Sequence, residues 1–276
     1  DGKAGPMTIG KIKVRSHSMD HLSRALGTRI DGILGFPTFA SLLLTLDYPA
    51  SEIRLREGRL PAVDDRTVFR DVGKLRPYLA VPVGEKTVAV LVDSGSAGGL
   101  TLRTSDAPAW KVPPRPTGAS VRYSSVEIRR SGRLADDLPF GPLALPTPVV
   151  ALTDGTRLAG VKLMHRFVWT FDQRERRIRM IPDHDGPILT DPVRGTGLAF
   201  RPTGAGLEIV RVFPDTPAQG ANLREGDVVV AIDGTPVYER GCRSLHEEFG
   251  EDRSTLNVDR DGTSFDVELT ASTLVP

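Results

Sequence analysis

The chain has 276 residues, 39% of them hydrophobic and 26% charged, with a net charge of +1. That length fits about two domains, that composition is ordinary for a globular protein, and no apolar run approaches the roughly 18 residues that a membrane-spanning helix needs. The small net charge hides an asymmetry: residues 194–276 hold eight Arg, no Lys and fourteen acids, a net −6, so the preceding stretch carries +7. The basic residues are scattered and have few aromatic neighbours, which argues against nucleic-acid binding. Cys242 is the single cysteine, so no intramolecular disulfide forms. The chain starts at Asp1 rather than Met and reads as processed or truncated, with any signal peptide outside it.

In chain order, residues 1–60 hold short strand-like runs at Met7–Val14, Ile30–Leu34, Leu42–Leu46 and Ile53–Leu55. His17 and His21 stand four apart, but no Cys or carboxylate set nearby completes a metal site, so no metal and no cofactor is expected. Pro49 to Lys74 is polar and reads as a connection. Val88–Val92 is an apolar run ending in Asp93-Ser94-Gly95, with a second apolar run at Leu100–Leu102. This predicts a buried strand closing in a tight turn. Asp106–Gly118 is Pro-rich and reads as a loop, and Pro182–Arg194 has the composition of a linker.

The last 80 residues read separately. Gly206–Phe213 predicts a strand, Pro214–Ala218 a turn into a short helix, and Val228–Ile232 a strand running to a hairpin turn at Asp233-Gly234. A helix is predicted around Arg243–Phe249, followed by a hairpin of Thr255–Asp259 and Ser264–Leu269 that turns at Asp261-Gly262.

Three ordered blocks repeat inside the chain. Thr45–Leu55 lies over Thr170–Met180, Arg29–Ile33 over Arg157–Val161, and Thr8–Ile12 over Pro139–Leu143, with offsets of 125, 128 and 131 residues. Two copies of one β-rich unit are the economical reading. Asp93 precedes Gly141 by 48 residues, so its counterpart in the first copy would fall about 40 residues ahead of Asp1. The chain therefore shows one Asp-Ser-Gly and implies a second.

The carboxylate of Asp93 emerges where a buried strand ends, and an unpaired buried carboxylate is costly. It is either solvated, paired or used. Asp93-Ser94-Gly95 after an apolar run, with Leu158-Ala159-Gly160 downstream and Ile30-Asp31-Gly32 as its counterpart, resembles the retropepsin-like branch of the aspartic proteases. The segment Val212–Ala218 followed by Ala221–Gly234 resembles a PDZ domain, with Gly197-Leu198-Ala199-Phe200 standing at the GLGF-type loop. These resemblances imply a mostly β chain of duplicated acid-protease-type β-barrel lobes followed by a PDZ domain. The first lobe would be partial (1–60), the second complete (75–183), residues 184–194 a linker and 195–276 the PDZ domain.

The implied activity is endopeptidase hydrolysis by an Asp dyad, in which two carboxyls about 3 Å apart share one proton. Asp93 would supply one carboxyl, Ser94 a bracing hydroxyl and Gly95 the tight turn. The partner acid would come from upstream or from a second chain, by lobe pairing or homodimerisation. Gly197, Leu198, Ala199 and Phe200 would receive a peptide's terminal carboxylate, with Arg194 or Arg201 adding charge. The partners implied are protein or peptide substrates, and the location periplasmic or secreted. The alternative is a non-catalytic peptide-binding protein with a decayed protease body. A serine protease is disfavoured: Val92 and Ser96 replace the outer glycines of the Gly-Asp-Ser-Gly-Gly motif, and no Gly-x-Ser-x-Gly elbow is present.

Overall fold

The computed structural model describes residues 2–4, 7–9, 16–20, 22–23, 28–106, 109–122, 125–239 and 253–276. The chain is mostly β. Strands β1 (Gly2–Ala4) and β2 (Met7–Ile9) form a small hairpin. A 3-10 turn at Phe36–Phe39 leads into the hairpin of β3 (Leu43–Asp47) and β4 (Glu52–Arg56). Next come β5 (Val68–Arg70), the hairpin of β6 (Tyr78–Val83) and β7 (Lys86–Val92), and β8 (Leu100–Arg103). A long hairpin follows, β9 (Trp110–Arg122) and β10 (Ser125–Leu134). Beyond it lie β11 (Leu138–Phe140), β12 (Leu143–Leu145), β13 (Val149–Thr153), the two-residue β14 (Leu158–Ala159) and the single-turn helix α1 (Val161–Met164). The hairpin of β15 (Phe167–Asp172) and β16 (Arg177–Pro182) completes this body.

The body holds two larger sheets, besides the two-stranded β11-β12 pair. One runs β6-β7-β14-β8-β13-β10-β9, and the other runs β4-β3-β15-β16-β5. In the second, the two hairpins of the sequence repeat meet back to back. β3 pairs antiparallel with β15 so that Thr45 faces Thr170, and their hydroxyls lie 3.0 Å apart. The connecting turns match as well: Asp47 accepts the Ala50 N–H and Asp172 the Glu175 N–H, while Ser51 and Arg176 both take positive φ, 55° and 53°. Like sequence has produced like turns about a local two-fold axis.

Alternation drives the packing. β6 buries Leu79, Val81 and Val83 and exposes the residues between them, the period of a half-buried strand. Those side chains join Val90, Leu102, Phe140, Phe167, Trp169 and Met180 in one core. Each fully buried large apolar side chain contributes about 1.5–3 kcal/mol.

The rest of the chain has its own core of Leu198, Ile209, Val229, Leu256 and Val258. Its strands are β17 (Val193–Gly195), β18 (Leu198–Pro202), β19 (Leu207–Val212), β20 (Val228–Ile232), β21 (Thr235–Pro236), β22 (Ser254–Arg260), β23 (Thr263–Leu269) and β24 (Ser272–Val275), with the short helix α2 (Pro217–Gly220) after β19. The main sheet runs β18-β19-β20-β22-β23, and β17 pairs with β24. Both Asp-Gly turns have positive φ at both residues, 48° and 75° at 233–234 and 52° and 81° at 261–262, as two-residue hairpins of right-handed twist require.

Three expectations change. Ile30–Leu34 is not a strand, because no strand beside it among the described residues takes its backbone hydrogen bonds. Asp106–Gly118 is not a loop. It enters β9, which tolerates Pro113, Pro114 and Pro116 because it is an edge strand, where an absent N–H on the open side breaks no ladder. The stretch read as a polar connection contributes β5 to a sheet edge. The helix expected at 243–249 lies outside the described residues, as do His21 and Cys242.

β14 is threaded between β7 and β8, parallel to one and antiparallel to the other. Gly160 then passes under the Asp93–Gly99 turn so closely that a Cβ would lie 2.4 Å from the Gly98 carbonyl oxygen and 2.7 Å from that of Ser96. Gly160→Ala is therefore expected to destabilise the body by at least about 1–3 kcal/mol, read as a lower urea midpoint at unchanged m-value.

Candidate functional site

The loop between β17 and β18 is built around a close contact. Gly197 adopts φ +88°, and a Cβ there would lie 2.0 Å from the Thr216 hydroxyl oxygen and 2.2 Å from its Cβ. Only glycine fits, on both counts. The segment after β19 stitches the loop down. The Phe213 N–H donates to the Gly197 carbonyl (2.9 Å) and the Ala218 N–H to the Thr196 carbonyl (3.0 Å), while the Thr216 hydroxyl donates to the Phe213 carbonyl (2.7 Å). Leu198 is buried, Phe200 packs partly into the core, and Ala199 is 2% exposed.

The structure thus brings Gly197, Leu198, Ala199 and Phe200 together at the start of β18, an edge strand of its sheet. Arg201, further along β18, is held by a bidentate ion pair with Glu208 of β19 (2.6 and 2.8 Å). Thr216, which supports the Gly197 turn, lies inside the Pro214–Ala218 segment that carries the resemblance.

At the other predicted site, Asp93 follows β7. Its N–H donates to the Ala159 carbonyl (2.9 Å) and its carboxylate accepts the Gly95 N–H (2.9 Å). The Ser96 N–H donates back to the Asp93 carbonyl, while the Gly160 and Val161 N–H groups donate to Gly99 and Ser96. The turn therefore clasps β14 in place. Among the described residues no carboxyl group hydrogen-bonds Asp93, and no group of three or more His, Cys, Asp or Glu is placed to hold a metal ion.

Two part-buried ion pairs fix the surroundings. Arg157, at the start of the β14 segment, grips Asp106 with two hydrogen bonds of 2.5 and 2.7 Å, and Asp106 also accepts the Arg103 N–H. The Arg157 hydrogen bonds, outweighing burial, hold the Asp106 carboxyl below the usual range. In the C-terminal unit Asp227 is 2% exposed. Burial pushes its carboxyl up, but Arg260, bonded to both carboxylate oxygens at 2.7 Å, and the Arg224 N–H pull it down further, for a net lowering. Asp71 goes the other way: its burial outweighs the N–H groups of Tyr78 and Gly73 and raises it.

This geometry defines a mostly β protein whose C-terminal sheet ends in β18, with the tight Gly197 turn leading into that strand. Residues 195–270 match the PDZ domain family, so the chain carries a PDZ domain. It is similar to the putative serine protease HhoA of Synechocystis sp., 53% identical over 102 residues, which cover 35% of this chain and 22% of that protein. It is also similar to the magnetosome formation protease MamE of Magnetospirillum gryphiswaldense, 44% identical over 55 residues, 20% of this chain and 7% of MamE. The chain thus spans less than a quarter of the length of these relatives. A retropepsin-like aspartic protease from Rickettsia conorii overlaps 41% of the chain and 96% of its own length at 15% identity, with a TM-score of 0.32, too low to carry an argument.

These relatives correct the expected mechanism. HhoA is named a serine protease, and the aspartic endopeptidase inferred from Asp-Ser-Gly is not retained. A shared-proton dyad needs a second carboxyl in contact with the first. Among the described residues the Asp93 carboxylate accepts a hydrogen bond from the Gly95 N–H of its own turn, and no second carboxyl hydrogen-bonds it.

The sign of the pH dependence follows from Asp106. Its lowered carboxyl stabilises the fold above the ordinary Asp range, and that contribution is lost as pH falls through the folded value, below about pH 4. Asp106→Asn is expected to cost about 2–3 kcal/mol, less than a fully enclosed pair because part of Arg157 meets solvent. It should also flatten the acid limb of a plot of urea midpoint against pH.

Proposed function

We propose that this protein works in proteolysis as a PDZ-containing protein that captures the C-terminal end of a polypeptide, with serine-type hydrolysis as its setting. The observation that carries the peptide-binding part is the loop at Gly197–Phe200. Its carbonyls at Thr196 and Gly197 are consumed by Phe213 and Ala218, so it presents N–H groups rather than acceptors to a ligand. That suits a carboxylate. The open edge of β18 suits β-augmentation, in which the peptide's backbone extends the sheet while alternate side chains are read. Gly197, Leu198, Ala199 and Phe200 are the residues assigned to this role.

The names of HhoA and MamE support proteolysis, and that of HhoA the serine type. The nucleophile is not assigned to a residue of this chain. The turn Asp93-Ser94-Gly95 is given the structural work of locking β14 between β7 and β8. We also propose the domain division: a repeated β unit represented by residues 1–60 in part and 75–183 in full, a connector at 184–194 and the PDZ domain at 195–276. The two-fold pairing of β3 with β15 and the separate core of the last unit support it. Location outside the cytoplasm is part of the same proposal and rests on the family resemblance.

Fluorescence anisotropy with a labelled pentapeptide ending in free valine, and with its C-terminal amide, tests the peptide reading. The free acid should bind at least tenfold more tightly than the amide, because the loop N–H groups lose their anionic partner in the amide. Equal binding of the two removes the carboxylate assignment. For the hydrolytic setting, a fluorophosphonate probe should label a serine of the intact protein. Casein cleavage without labelling would exclude the serine type.

A further inference from the structure

The PDZ loop is gripped from outside its own domain. Arg115 of β9 donates from one guanidinium nitrogen to the carbonyls of Asp215 (3.2 Å) and Pro214 (3.5 Å). Those residues belong to the segment 213–218 that stitches down Gly197 and Thr196, and Asp215 is held at φ +55°. On the opposite side, Arg133 of β10 hydrogen-bonds the Pro276 carbonyl. Pro276 follows β24, and β24 pairs with β17, the strand that leads directly into the loop, through Val193↔Val275, Arg194↔Thr273 and Gly195↔Ser272. Among the described residues Arg115 has no carboxylate partner; the hydrogen bonds it makes go to these two carbonyls. β9 also packs beside β18 and β24. One hairpin of the body therefore holds both flanks of the loop with two arginines.

We propose that Arg115 is a positioning residue of the peptide site: through the 213–216 segment it fixes Gly197 and the following amides in the conformation that receives a carboxylate, so that affinity at the PDZ loop depends on the β9–β10 hairpin of the body. This rests on the carboxylate reading of the loop for its functional half. The physical reason is pre-organisation. A loop whose supporting segment is already anchored loses less freedom when a ligand orders it. Among the described residues, the hydrogen bonds of the Arg115 guanidinium go to these two carbonyls of the PDZ domain. Removing the guanidinium then frees the 213–216 turn without altering any residue of the loop itself.

Two measurements on the full chain test this. In the first, hydrogen exchange of the ligand-free protein compares wild type with Arg115→Ala and Arg115→Lys. The amides at 196–199 and 213–216 should exchange several-fold faster in Arg115→Ala and be partly restored in Arg115→Lys, while the amides of β20 and β22 keep their protection. Unchanged exchange at 196–199 overturns the proposal whether or not any peptide binds. In the second, the free-acid pentapeptide should bind Arg115→Ala three- to tenfold more weakly, with the weak binding of the amide form unaltered. Equal affinity of wild type and Arg115→Ala for the free acid also overturns it. A loosened loop in a protein whose wild type ignores the free acid would leave the bracing in place and remove the carboxylate reading instead.

Discussion

An extended segment must find sheet partners for its N–H and C=O groups, and this constraint arranges the molecule. β14 is only two residues long, yet it is a strand because β7 and β8 flank it on both sides. Its sequence counterpart, Ile30-Asp31, has no such flanks among the described residues and stays outside any sheet. Ile33 and Leu34, a few residues on, are left 72% and 60% exposed. At the sheet edges the same requirement is met in two other ways. β9 carries prolines that need no partner, whereas β18 ends its sheet with no strand paired along its outer side and β9 packed nearby.

Close backbone packing is the second theme, and it explains two glycines in particular. Gly160 passes beneath the Asp93–Gly99 turn at a distance that no side chain survives, and Gly197 does the same against Thr216. In each case a turn is clasped by backbone hydrogen bonds on both sides. The similarity ends there. The first turn closes the interior of the body, and the second faces the open edge of the PDZ sheet. The backbone of Asp93 and of the turn that follows it helps hold β14, through the Asp93 N–H to Ala159 and the Gly160 and Val161 N–H groups to Gly99 and Ser96.

Charge shows how the two units of the chain are joined. The net −6 of residues 194–276 and the +7 before them suggest broad attraction. What the structure shows is narrower: two body arginines, Arg115 and Arg133, donate to backbone carbonyls of the PDZ unit. The connector is pinned as well, with Ile188 buried in the body core and the Thr190 hydroxyl accepting the Val149 N–H. Long-range charge steers but does not select a contact, and directional donors to fixed carbonyls do.

The sequence by itself determined the local features. Both Asp-Gly hairpin turns, the strand Val228–Ile232 and the repeat that becomes the β3–β15 two-fold were legible, because turn chemistry and apolar alternation act over a few residues. Tertiary structure alone decided the rest. It made a Pro-rich stretch an edge strand, kept Ile30–Leu34 out of the sheets, and carried Arg115 across about a hundred residues of sequence to the PDZ loop. The chemistry of hydrolysis was misread for the same reason. An acid at a strand end has the same local signature whether it catalyses or closes a turn, and what distinguishes the two is which distant groups the fold brings to it.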